Sequence, residues 1–324
     1  MVTVAPLDPG SYVVSASFLN DTPAFALGDG TVVLLGAEGE KRVQVHGGGL
    51  LAAARTQPGD ALVTGGDDGK VCRLTAEGVV EIVADLPRKW IDLVACGPQG
   101  AVGFAAGRVA YVVAGAGAPK EFPQGRAVGG IAFAPKGLRL AIARYDGATL
   151  VWVNASGAPQ DLEWKGAHTG AAFSPDGKYL VTTMQENALH GWRLADGQDM
   201  RMTGYPSKVK SMSWSARGRY LATSGANAAI CWPFFGKTGP MGQQPLQLGA
   251  RSDQIVTQVA CHPGEEVAAI GYQDGMVLAV RFGDAQEVLL RRPGAGPISS
   301  LCWDKGGLRL VYGSEAGEAG VISL

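Results

Sequence analysis

The residues best equipped for chemistry are few and far apart. Histidine occurs at His46, His168, His190 and His262, and cysteine at Cys72, Cys96, Cys231, Cys261 and Cys302. No H-E-x-x-H, C-x-x-C or G-x-x-x-x-G-K-[ST] run is present, so the common zinc, redox and phosphate-loop spacings are missing. Gly28-Asp29-Gly30 and Gly47-Gly48-Gly49 are glycine-rich, but neither opens the strand-to-helix turn that a nucleotide loop needs. Cys261-His262 has no second ligand pair at metal spacing and reads as a packed cysteine beside a loop histidine. The conspicuous carboxylates Asp29, Asp68, Asp146 and Asp274 each precede a glycine. Asp-Gly is turn chemistry, because Asp bonds its own backbone and Gly tolerates a positive φ. These four aspartates, and His46 with them, are therefore read as structural turn residues. No catalytic residue, metal ligand or cofactor is expected.

The cysteines are odd in number, widely spaced and set mostly in or beside apolar runs. That usage predicts buried thiols in a reducing compartment, the cytoplasm. Among 324 residues, 28 basic and 29 acidic side chains nearly cancel. The balance gives no general reason to bind nucleic acid or an anionic membrane. Met1 to Gly10 lacks a basic stretch followed by an apolar one and carries Pro6 and Pro9, so it does not read as a signal peptide. No uninterrupted apolar run reaches the length of a membrane helix.

The elements that would position any site come from a repeat. Phe173-Ser-Pro-Asp-Gly177 leads to Lys178–Thr183, then Gln185-Glu-Asn187, then Ala188–Trp192. An earlier copy runs from Phe133 through Gly137 and Asp146-Gly147 to Trp152, and a later one from Trp214 through Gly218 and Asn227 to Trp232. Trp152, Trp192 and Trp232 are spaced by forty residues. Turn anchors at 30, 69, 107, 147, 187, 227, 275 and 317 are 38 to 42 residues apart, save one interval of 48. The long interval holds an insertion, residues 235–242, which can dock a partner or fold on its own repeat. Each copy holds three short Val-, Ile-, Leu- and aromatic-rich runs, with a fourth before the next copy. Such runs are too short for helices and suit strands. Four-stranded units of about forty residues are the sequence signature of a β-propeller, whose radial closure protects strand edges.

The repeat resembles the WD40 family over essentially the whole chain. The Asp-Gly turns at Asp29, Asp68, Asp146 and Asp274 resemble that family's turn aspartates between second and third strands. His46, in Val45-His46-Gly47, stands where the family has a histidine, without the usual preceding glycine. Trp152, Trp192 and Trp232 match the tryptophan of the terminal dipeptide, but the adjoining aspartate is absent. The expected architecture is an all-β, single-domain propeller of eight four-stranded blades. Its approximate repeats are 13–45, 50–83, 89–122, 127–163, 168–202, 208–248, 254–290 and 297–324. Seven blades with an irregular segment near 100–125 is the fallback. The last repeat lacks a fourth strand, so residues 2–5 are expected to supply it, as family members commonly close their ring.

The resemblance implies a scaffold that binds a protein or peptide, as an accessory subunit of a cytoplasmic assembly. The alternative is a small-ligand-binding or hydrolytic propeller with its site at the central channel. Loops entering each first strand share a face with the turns between second and third strands. That face would present Lys89, Trp90, Arg144, Tyr145, Lys208, Lys210, Arg251 and Tyr272. Exposed aromatics and arginines anchor interfaces, and the basic surplus points to an acidic partner.

Overall fold

The computed structural model describes residues 2–155, 157–236 and 238–324. Lys237, inside the insertion, lies outside the described residues. Apart from a single 3-10 turn at Pro98–Gly100, every regular element among the described residues is a β-strand. No helix among them is long and apolar enough to cross a membrane.

Turn chemistry sets the local pattern. Short apolar runs broken by Gly-bearing turns at Gly30, Gly69 and Gly275, all at positive φ, double back as antiparallel hairpins. The first sheet shows the scheme: Val13–Leu19, Thr22–Leu27, Thr31–Gly36 and Gly39–Gln44 lie side by side in chain order. Second strands such as Ala61–Gly66 and Tyr179–Met184 are buried at every residue, whereas the outermost strand Gly39–Gln44 is mostly exposed. Sheets covered on both faces need continuous apolar runs, which explains the absence of strict alternation in the second strands.

The core lies between sheets. Leu19, Ala24 and Leu34 of the first sheet meet Leu62, Cys72 and Leu74 of the second. Val63 and Val71 of the second meet Phe104 and Tyr111 of the third. The ring shuts where Val311 and Ala319 of the last sheet pack on Val13, Phe18 and Phe25 of the first. Each fully buried Phe or Leu there contributes roughly 1.5–3 kcal/mol relative to exposure. Thr3–Leu7 runs antiparallel to Ala319–Ser323, from Thr3 opposite Ser323 to Leu7 opposite Ala319. The outer strand of the last sheet is therefore the N-terminal one, and it extends two residues beyond the expected segment.

Hydrogen bonding divides the strands into seven sheets, six of four strands and one of six. Eight separate sheets, the primary expectation, are not formed. The fallback count of seven matches the sheets, but not for the anticipated reason. The segment near 100–125 belongs to a regular sheet of Leu93–Cys96, Val102–Ala106, Val109–Val113 and Lys120–Pro123. The merging occurs instead between repeats 127–163 and 168–202, through two fourteen-residue strands, Arg139–Trp152 and Gln160–Phe173. The first bends at Asp146 (φ 65°) and Gly147 (φ 130°), pairing with Val128–Phe133 before the bend and with residues 160–163 after it. Gln160–Phe173 then continues into pairing with Tyr179–Met184. Across the join, Ala141, Leu150 and Leu162 pack against Leu180 and Trp192.

Candidate partner-binding face

The turn aspartates are engaged with the scaffold. Asp29 Oδ1 accepts the Thr31 N–H at 3.0 Å, and Asp274 Oδ1 accepts that of Met276 at 3.0 Å. Asp146, itself at the bend of the shared sheet, accepts the Gly166 N–H at 3.5 Å. Asp68 does more: it accepts the N–H groups of Lys70 and Gly47, each at 3.1 Å, and faces His46 Nδ1 at 3.0 Å. Burial alone would raise its carboxyl. The hydrogen bonds from Lys70, His46 and Gly47 outweigh that and hold it below the usual carboxylate value.

On the loop face, Trp90 is 70% exposed and Tyr145 44% exposed. The Arg126 guanidinium lies over the Tyr145 ring, 5.9 Å from its centroid. Tyr272 is different and corrects the expectation: it is fully buried, and its hydroxyl donates to the Gly249 carbonyl. Its position before an Asp-Gly turn resembles that of Tyr145, but Leu248, Ile270 and Val280 enclose it between sheets. Burial raises its phenol above the ordinary value.

The cations differ in availability. Arg144 is bound to Asp161 at 2.8 Å, to Thr149 Oγ1 and to the Tyr145 carbonyl. Arg251 pairs with Glu287 at 2.6 Å. Lys89 donates to the Tyr111 hydroxyl at 3.1 Å. Lys210 reaches Glu315 only at 3.9 Å, and Lys208 is exposed with no ion pair among the described residues. Expected anchors therefore separate into those locked into the ring and those still free: Trp90, Tyr145, Lys208 and, largely, Lys210.

Two aromatics escaped the sequence reading. Tyr12 is 45% exposed and immediately precedes the buried Val13, as Trp90 precedes the buried Ile91. Aligning the repeats on that buried residue would have found it, with Lys208 before Val209 in the same register. Trp164, half-buried, stacks on His190 at 4.0 Å and 14°. It stands between the exposed Glu163 and Lys165, and no repeat signal marks it.

The histidines and cysteines are buried or partly buried. His190 is fully buried, with neither ring nitrogen hydrogen-bonded; Asp199 Oδ2 stands 3.5 Å from Nε2 without hydrogen-bond geometry. Burial, then the nearby His168 and Arg201, push it down to about 3. Burial pushes the Cys96 and Cys261 thiols up to about 12 and Cys72 up to about 11. A thiol so shifted is a poor nucleophile. Among the described residues, no three or more His, Cys, Asp or Glu group as metal ligands. At the channel end opposite the loop face is a cavity of about 910 Å³ lined by Asp21, Arg55, Cys261, Cys302, Asp304 and Lys305 among others. Asp304 there is already held by Arg309 and by the N–H groups of Leu308 and Arg309.

The chain entering the insertion folds inward. Phe234 meets Tyr179 at 5.2 Å and Trp214 at 4.8 Å, both edge-on, while Phe235 packs on Tyr220 under Arg219. Met241 is left exposed.

The WD40 family (WD domain, G-beta repeat) matches residues 198–232. No curated protein matches the chain significantly. Among solved structures, the computationally designed Ika8 protein superposes with a TM-score of 0.78 at 18% identity, over 97% of this chain and 96% of that one. The C-terminal WD40 domain of Sif2 superposes with a TM-score of 0.79 at 14% identity, over 100% of this chain and 98% of that one. At such identities the likeness speaks for the fold. One WD40 repeat is matched at residues 198–232, and it lies within antiparallel sheets packed as a β-propeller that the N-terminal strand closes.

Proposed function

We propose that this chain is a non-catalytic scaffold that holds a protein or peptide on its loop face, as an accessory subunit of a cytoplasmic assembly. The observation that carries the reading is the exposure of Trp90, on a loop, and of Tyr145, at the bend of the strand Arg139–Trp152, on a rigid ring. Large rings left in water on such loops are the usual anchors of recognition. Arg126, Lys165 and Lys208 stand on the same face outside the ion pairs found among the described residues, which favours an acidic partner. The channel reading draws less support. The channel-end cavity gathers no histidine, and its buried carboxylate, Asp304, is committed to Arg309.

The shared six-stranded sheet is read as filling two blade positions, which would give eight positions around the ring. The face-to-face packing of its two halves around Leu162 and Trp192 supports this. An experimental density map counts the positions directly; seven radial sheets would reject it.

The functional test is affinity capture from the source cell's extract, comparing wild type with the folded Trp90→Ala, Tyr145→Ala double variant. A stoichiometric protein lost by the variant is the expected result. Equal recovery by both forms would remove this face from consideration, and no captured protein would count against a stable scaffold.

A further inference from the structure

The strand Gln160–Phe173 is packed unevenly on its two sides. Toward Val128–Phe133 the backbones nearly touch: a Cβ on Gly130 would stand 2.5 Å from the Gly170 Cα, and one on Gly129 would overlap the His168 carbonyl oxygen. Only residues without a Cβ permit that approach. On its other side, the same strand stands off from Met212–Trp214, whereas the other neighbouring pairs of first strands pack closely. The glycine seam draws the strand one way and leaves a cleft of about 460 Å³ on the other.

The cleft's lining is selective. Thr169, Thr183 and Gln185 form one wall, Lys208 and Lys210 the other, above a floor of Gly170 to Ala172. No carboxylate lines it. Thr169 Oγ1 and Thr183 Oγ1 are bonded to each other at 3.1 Å, which leaves the pair acceptor capacity. Lys208 lacks an ion pair among the described residues, and Lys210 is mostly exposed, with Glu315 at 3.9 Å. The volume lies within the usual range for ligand sites, about 300–1,000 Å³.

We propose that this cleft seats an acidic peptide segment of the partner, with its carboxylates on Lys208 and Lys210 and its backbone against Gln185 and the threonines. This rests on the scaffold reading and moves the centre of recognition from Trp90 and Tyr145 to the seam beside Lys208. Small residues on the floor admit a main chain, and two cations with no lining carboxylate select against neutral or basic segments.

The test is fluorescence anisotropy with fluorescein-labelled hexaglutamate, with hexaglutamine as control. Wild type is expected to bind hexaglutamate and not hexaglutamine, with affinity falling as salt rises. Lys208→Glu should weaken binding by about tenfold or more. Ala172→Leu, which fills the cleft without altering charge, should do the same, with folding of both variants checked by thermal unfolding. Failure of wild type to bind hexaglutamate, or unchanged binding by Lys208→Glu, overturns the proposal. A captured partner lost by Trp90→Ala, Tyr145→Ala but retained by Lys208→Glu would leave the scaffold standing without the cleft. Hexaglutamate binding abolished by Lys208→Glu with no partner captured would keep the cleft and reject the scaffold.

Discussion

His46 and Asp68 meet through a 3.0 Å contact between Nδ1 and Oδ1, while the other ring nitrogen of His46 lies 2.8 Å from Thr64 Oγ1. One buried imidazole thus ties the link between the first two sheets to a turn and a second strand of the second sheet. His46→Ala should cost about 2–4 kcal/mol, because it leaves Thr64 and Asp68 short of partners beside a void. Urea denaturation measures it. A loss below about 0.5 kcal/mol, the size of an ordinary surface change, would show that the contact is dispensable. Asp68 adds an acid dependence: its lowered value contributes stability present above the ordinary aspartate range and lost as pH falls through the folded value.

His190 acts in the opposite direction from a helpful ion pair. Its folded value is pushed down to about 3, against an unfolded value of about 6.5. Between those values the unfolded chain holds a proton that the folded chain does not. Stability is therefore intact above about pH 6.5 and falls as pH drops through the window, by up to about 1.4 kcal/mol per pH unit. His190→Phe should reduce that slope while leaving stability at pH 7 unchanged or higher, because both nitrogens it removes lack hydrogen bonds. Denaturant midpoints at pH 5 and pH 7 give the answer; an unaltered slope would assign the acid sensitivity to other groups.

Ring closure depends on close approach between the last and first sheets. A Cβ on Gly313 would overlap the Val13 side chain. Gly313→Ala should destabilise by about 1–3 kcal/mol, and Val13→Ala in the same chain should return part of it. Removing residues 2–7 should lower the melting temperature further, since it bares the edge of Ala319–Ser323. A truncated chain melting like wild type would mean the ring holds without its terminal strand.

The five free thiols should be nearly silent in the folded protein. Burial raises all of them, Cys231 well above its ordinary value. A disulfide-exchange reagent at pH 8 is expected to titrate them slowly in the native state and rapidly after unfolding. One thiol reacting at the rate of a free cysteine would reveal an accessible site in the channel wall.

Much of the architecture was legible in the sequence because it is local. Trp152, Trp192 and Trp232 recur every forty residues, and Asp-Gly pairs sit where short apolar runs turn back. Turn geometry and strand length are decided within a few residues, so a ring of antiparallel sheets followed from them. The terminal Thr3–Leu7 strand was visible for a related reason, since one repeat lacked a partner and one strand had none.

The site was another matter. Tyr145 and Tyr272 look alike in sequence, each just ahead of an Asp-Gly turn, yet one is exposed and the other buried. The Gly249 carbonyl and the side chains around Tyr272 belong to separate strands, and nothing near residue 272 in the chain announces them. Arg251 is held by Glu287, thirty-six residues away. The joining of two repeats depends on how Asp146 and Gly147 bend a continuous strand, and the cleft beside Lys208 depends on Gly130 meeting Gly170. Sequence alone determined the repeat and its turns, because hydrogen bonds along a hairpin are short-range; the closing strand was legible only by counting, since its partner lies more than 300 residues away. Only the tertiary structure decided which side chains remain free to bind, because exposure and charge pairing are settled between sheets, where residues distant in the chain compete for the same space.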